Sequence, residues 1–177
     1  VELGAGSITT NTTWDNTNEY LLTGQVFVKS GATLTIQPGV TIKALPDDGN
    51  GLAPALIIEQ GAKIMAEGTL ANPITFTSIL SSAELAASPR GNWGGIIVNG
   101  KAPLAGGGTK FVEGITGVPY GGTDPEDNSG TLKYVRVWHG GRSIGQDNEI
   151  NGITLAGVGN KTTVEYCEVA YNLDDGF

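Results

Sequence analysis

Val28-Lys29-Ser30-Gly31-Ala32-Thr33-Leu34-Thr35-Ile36 is rewritten further along the chain as Ile58-Glu59-Gln60-Gly61-Ala62-Lys63-Ile64-Met65-Ala66. A second echo joins Leu132-Lys133-Tyr134-Val135-Arg136-Val137-Trp138-His139-Gly140 to Val164-Glu165-Tyr166-Cys167-Glu168-Val169-Ala170-Tyr171-Asn172, at nearly the same spacing. Repeats of this period with strand-like content build solenoids, in which each repeat is one coil stacked on the last. The stack places Leu34 over Ile64 and Ile36 over Ala66. Alternation along a strand then sends Thr33, Thr35, Lys63 and Met65 to the opposite face. Gly31 and Gly61 fall at equivalent corners, where positive φ or close backbone approach favours glycine.

The rest of the chain extends the pattern. Strands are expected at Val26–Val28, Leu34–Ile36 and Thr41–Lys43, then at Leu56–Ile58, Lys63–Met65 and Ile74–Thr77. A third coil starts near Trp93, and Gly95–Gly100 matches Gly152–Gly157 at a spacing close to twice that of the first echo. An insertion over 101–131 accounts for that larger spacing. Tyr134–Val137 and Tyr166–Val169 are read as matching strands of successive coils. Residues 1–24 read as a polar lead-in segment covering the first coil. Ser81–Ala87 is the only helical stretch, with Ser82 as N-cap and Pro89 as stop. The expected fold is therefore all-β: one right-handed parallel β-helix over 1–177 with long loop insertions. A sandwich would need hairpins with two-residue turns, and Asn99-Gly100 and Asn151-Gly152 fall at coil corners instead.

Composition narrows the function classes. The net charge of −8 and pI near 4.5 give the wrong electrostatic sign for binding nucleic acid through its phosphates. No run of 18 apolar residues exists, so no transmembrane segment is expected. The 28 glycines lack a collagen period and imply many tight turns. One cysteine, Cys167, excludes an intrachain disulfide and reads as a small buried hydrophobe. Gly106-Gly107-Gly108-Thr109-Lys110 lacks the phosphate-loop spacing.

Gly31–Lys43, Leu56–Thr69, Asn72–Ser78, Arg90–Gly100 and Asn172–Phe177 together resemble secreted bacterial β-helix surface proteins of Bacteroidota-like type, pectin-lyase-like in fold. The resemblance spans nearly the whole chain. It implies an extracellular or outer-surface location and implies no particular activity. In such proteins the chain continues past an Asp-Asp-Gly-Phe phrase, and here no cap follows the last strand, so head-to-tail self-association is one expectation.

Candidate chemistry is sparse. β-Helix lyases and hydrolases set carboxylates, Arg or Lys along one exposed sheet. Arg136, His139, Arg142, Glu165, Glu168, Asp174 and Asp175 are the residues of that type, and an enzymatic reading would rest on Arg136, His139 and Asp175. Register also stacks Arg136 on Glu168 and Lys133 on Glu165, as simple sheet stabilisation does. His139 is the only histidine and sits at a corner. Oxygen-rich loops raise calcium: Asp47-Asp48-Asn50, Asp147-Asn148-Glu149, Asp174-Asp175 and, as the preferred candidate, Asp124, Glu126, Asp127 and Asn128. Trp93, Trp138, Tyr134, Tyr166 and Tyr171 could stack on sugar rings or simply pack. The reading is a non-enzymatic surface solenoid with a structural or adhesive role. It has no cofactor unless calcium, and its partner is itself or a surface carbohydrate. The alternative is a carbohydrate-active β-helix or carbohydrate-binding module.

Overall fold

The computed structural model describes residues 1–46, 52–115, 117–145 and 148–177, and their side chains outside 143–149. Three parallel sheets run the length of the molecule. Sheet A holds β1 (Glu2–Leu3), β4 (Tyr20–Leu22), β7 (Thr41–Ala44), β10 (Ile74–Ser78), β15 (Val135–Trp138) and β20 (Glu168–Ala170). Sheet B holds β2 (Gly6–Ile8), β5 (Gln25–Val28), β8 (Ala55–Ile58), β11 (Ile96–Asn99) and β18 (Ile153–Ala156). Sheet C holds β3 (Thr12–Trp14), β6 (Thr33–Ile36), β9 (Lys63–Glu67), β14 (Gly130–Lys133) and β19 (Thr163–Glu165). The chain visits A, B and C in turn, so each circuit is one coil of a parallel β-helix.

The repeat offsets are the strand registers. Leu34 pairs with Ile64 and Ile36 with Ala66. Ile96 pairs with Ile153, Lys133 with Glu165, and Arg136 with Glu168. Inward side chains form ladders along the axis. Tyr20, Ile42, Phe76, Val137 and Val169 follow one another in sheet A. Trp14, Ile36, Ala66, Leu132 and Val164 do so in sheet C. Burying such columns supplies the hydrophobic drive, about 1.5–3 kcal/mol per large side chain. Parallel strands also need a connection to come round, which the coil provides.

Residues 1–24 differ from the expected cover. They form a coil of their own, because β1, β2 and β3 pair in parallel with β4, β5 and β6. Trp14 and Tyr20 stack at 5.3 Å within it. The helix α1 (Ser82–Ala87) is capped by Ser81 and not Ser82, since Ser81 and Glu84 complete a capping box. The stretch 101–131 holds one antiparallel hairpin, β12 (Lys110–Phe111) with β13 (Pro119–Tyr120). A second hairpin, β16 (Ser143–Gly145) with β17 (Asn148–Glu149), follows β15.

Tyr134 and Tyr166 are corner residues, not strand residues. They lie between sheets C and A at φ 49° and 55°. His139 (φ 64°) and Tyr171 (φ 56°) take the same left-handed conformation at the corners after β15 and β20. Side chains there cost strain that flanking contacts must offset. The rings supply them: Tyr134 stacks on Tyr166 at 4.7 Å and His139 on Tyr171 at 5.1 Å.

Candidate functional site

Outward positions on sheet B form two ordered columns. Ser7, Phe27, Ile57, Ile97 and Thr154 are register partners in succession. The residues after Val28, Ile58 and Val98 are Lys29, Glu59 and Asn99, with the Glu59 amide bonded to the Val28 carbonyl. Outward side chains of a solenoid normally meet water, yet Ile57 and Ile97 are fully buried. Ala53, Ile115, Val118 and Ile150 close over them as a second apolar cluster, which Phe27 flanks. The insertion therefore covers part of this wall.

Where that cover stops, a cleft of about 800 Å³ opens. Its floor and walls include Ser7, Gln25, Phe27, Lys29, Glu59 and Val118. Lys29 hydrogen-bonds Glu59, with the two side chains 39 % and 18 % exposed. The same ammonium lies 5.1 Å from the Phe27 ring centroid. The Nε2 of Gln25 is buried without a hydrogen-bond partner. Asn99, fully buried one strand beyond Glu59, has neither amide atom paired. A buried, unpaired amide costs about 1–3 kcal/mol.

The residues singled out from the sequence fall around separate hollows, one of which gathers several of them. Arg136 lines a hollow of about 200 Å³ with Tyr134, Tyr166 and Glu168, and its guanidinium sits over the Trp138 ring at 5.5 Å. Glu168 accepts from the Trp138 indole N–H at 2.7 Å, so the stacked Arg136–Glu168 backbone positions hold a ring-bridged arrangement. His139 lines a different hollow beside α1, and its Nδ1 lies 2.6 Å from the Pro89 carbonyl oxygen. Asp175 is exposed in the segment after β20 and borders neither hollow. Lys133 and Glu165 do pair, at 3.1 Å, and the carboxylate raises the lysine's pKa above its ordinary value. Arg142 and Asp174 are exposed. Trp93 is core, stacked on Phe76 and donating its indole N–H to the Trp138 carbonyl.

The preferred calcium loop has its side-chain oxygens engaged by partners within the protein. Asp124 accepts from the Glu126 amide, Glu126 pairs with Lys161 at 3.0 Å, and Asn128 accepts from the Gly130 amide. Asp127 is buried and accepts from the Ser129 hydroxyl at 2.8 Å. Among the described residues no group of three or more His, Cys, Asp or Glu is placed to hold a metal. Asp47, Asp48, Asn50 and Asp147 lie outside the described residues, as do the side chains of Asn148 and Glu149. Cys167 is half-buried against the core, and burial pushes its thiol pKa up, the opposite of nucleophile activation.

A family model described as a pectate-lyase like β-helix domain matches residues 6–177. The chain belongs to that family. No curated protein and no solved structure matches it. This pectate-lyase-like helix thus has the parallel coil of that family, with Arg136 and His139 lining separate hollows and Asp175 lining neither. The cleft residues escaped the sequence reading. One signal was present: Ala55-Leu56-Ile57-Ile58 and Ile96-Ile97-Val98 are unbroken apolar runs, the mark of strands covered on both faces.

Proposed function

We propose that the chain is a non-catalytic β-solenoid of the extracellular or outer cell surface, with an adhesive and structural role, whose exterior binds and does not cleave. The observation that carries this reading is the separation of the titratable groups. Glycoside hydrolysis uses two carboxyl groups flanking one bond. Here His139 is tied to Pro89, Glu168 to Trp138 and Glu59 to Lys29, and the three line separate hollows. The acidic composition and the resemblance to secreted β-helix proteins support the location. Among the described residues no helix is long and apolar enough to cross a membrane. Self-association is part of the proposed role.

The test pairs retention with turnover. The chain is incubated with insoluble neutral and uronate polysaccharides, then bound protein and released sugar ends are measured. Retention on polymer with no released product is expected, unchanged in Arg136→Ala, His139→Ala and Asp175→Ala. Product release that disappears in any of those variants overturns the reading. Electron micrographs of the purified chain show filaments or oligomers if self-association holds, and isolated particles if it does not.

A further inference from the structure

The outward face of β15 and β20 is self-complementary. Val135, Val137 and Val169 face the core, so alternation turns Arg136 and Trp138 of β15 outward, with Glu168 and Ala170 of β20. Register sets Arg136 beside Glu168 and Trp138 beside Ala170. A two-fold axis parallel to these strands and midway between them exchanges the two columns. Under it Arg136 of one chain faces Glu168 of another and Trp138 faces Ala170, each contact occurring twice. One operator therefore matches a cation to an anion, and the bulkiest of the four side chains to the smallest. Thr41 and Lys43 on β7, and Thr75 and Thr77 on β10, offer no such exchange. The single chain leaves the charged groups partly unused. Among the described residues Arg136 has no carboxylate partner, although Glu168 is beside it, and its guanidinium lies over the Trp138 ring. Glu168 takes the Trp138 indole N–H on Oε1, and no described group bonds its Oε2.

We propose that a second copy of this chain packs on this wall as a two-fold dimer, face to face and with the solenoid axes antiparallel. Resting on the self-association in the reading above, it gives that association a face and a closed symmetry, where head-to-tail contact would build an open filament. Packed sheets lie about 10 Å apart, a gap that Arg136 and Glu168 bridge while Trp138 sits over Ala170. Trp and Arg are also the side chains most enriched among those that carry binding energy at protein interfaces. The net charge of −8 on each copy opposes approach, and salt at physiological strength confines that repulsion to about 8 Å. A wall two strands wide is small for an interface, so a dissociation constant in the micromolar range is expected.

Sedimentation equilibrium of the full chain, over a wide concentration range at physiological salt, tests this. A monomer–dimer equilibrium is expected. Arg136→Glu and Glu168→Arg each weaken it at least tenfold. An equimolar mixture of those two variants pairs again, and so does the chain carrying both changes, within threefold of the native affinity. Misfolded variants would not recover in this way. Ala170→Trp fills the seat of the partner's Trp138 from an outward position and weakens pairing at least tenfold. Dimers that persist unchanged in Arg136→Glu and in Ala170→Trp overturn the proposal and leave self-association through another surface standing. So does failure of both the mixture and the doubly changed chain to pair where the native chain does. A native chain that stays monomeric throughout overturns this face and the self-association together.

Discussion

The two kinds of outer wall on this solenoid obey different rules. On sheets A and C the exterior is largely polar and paired across strands, with Leu21, Met65 and Trp138 interspersed. Thr41 lies beside Thr75, Thr33 beside Lys63, and Lys133 salt-bridges Glu165. These walls expose one residue in two, as a sheet with one wet face should. On sheet B the middle of the exterior is apolar. Ile57 and Ile97 are as buried as the residues pointing inward, and all four residues of β8 and β11 are buried. The interior repeats from coil to coil, while the exterior departs from repetition where loops have been added. Binding surfaces tend to arise at such departures, because a scaffold held by its interior tolerates loop variation outside.

That contrast can be broken by experiment, and the largest effect is expected where it is sharpest. Ile97→Ala on the outer face of sheet B should cost about 2–4 kcal/mol, the range for a buried large-to-small change. Thr75→Ala on the outer face of sheet A should fall within about 0.5 kcal/mol. Both residues point outward on adjacent sheets, and Thr75 is half-buried where Ile97 is not exposed at all. Denaturant melts of the two variants decide the matter. Equal, small shifts would mean that the loop cover over sheet B contributes nothing.

A smaller effect of opposite sign is expected at Asn99. Its amide is buried with neither atom paired, between Glu59 on one side and Ala156 on the other. Asn99→Leu keeps the branched outline and removes the unpaired groups, so the variant should be more stable by about 1 kcal/mol. A destabilised variant would show that Asn99 makes polar contacts in solution, and the sheet B wall would then be wetter than its apolar neighbours imply.

How much of this was legible follows from the same contrast. The spacings between the echoed segments became strand registers because interior ladders demand like over like, and Leu34 over Ile64 is such a step. Corner chemistry was less legible. Tyr134 and Tyr166 looked like strand aromatics, since nothing local marks a non-glycine residue for positive φ; the stacked ring one coil away makes it tolerable. Residues 1–24 read as a cover because their polar Thr and Asn content hides three short pairings that are set by the next coil. The cleft was least legible. Gln25, Phe27, Lys29 and Glu59 meet Val118 only through the path of a long insertion, and no periodicity records such a path.

The smallest expected effects are electrostatic and belong to the polar walls. Lys133 has its pKa raised by the hydrogen bond to Glu165, so its contribution is complete below its ordinary value of 10.5 and fades only as pH climbs through the raised value. Glu84 has its pKa lowered, mainly by the Ser81 hydroxyl and then the Ser81 amide, and Asp15 likewise by Thr17 and then Asn18. Their contributions are complete above their ordinary values of 4.5 and 3.8 and disappear as pH falls through the lowered ones. All three groups are solvent-exposed, where screening keeps pair energies small. The denaturant midpoint should therefore be flat between about pH 6 and pH 9 as far as these groups are concerned. Below the ordinary Glu84 value the change should be local. Amide exchange at Leu85, whose N–H bonds the Ser81 carbonyl, should accelerate as the capping box protonates, while exchange at Ile36 in the ladder holds. A Glu84→Gln variant should show the faster exchange at neutral pH already. If instead the global midpoint moved between pH 6 and 9, and Lys133→Ala abolished the movement, the exterior of sheets A and C would carry as much of the fold as the covered wall of sheet B does.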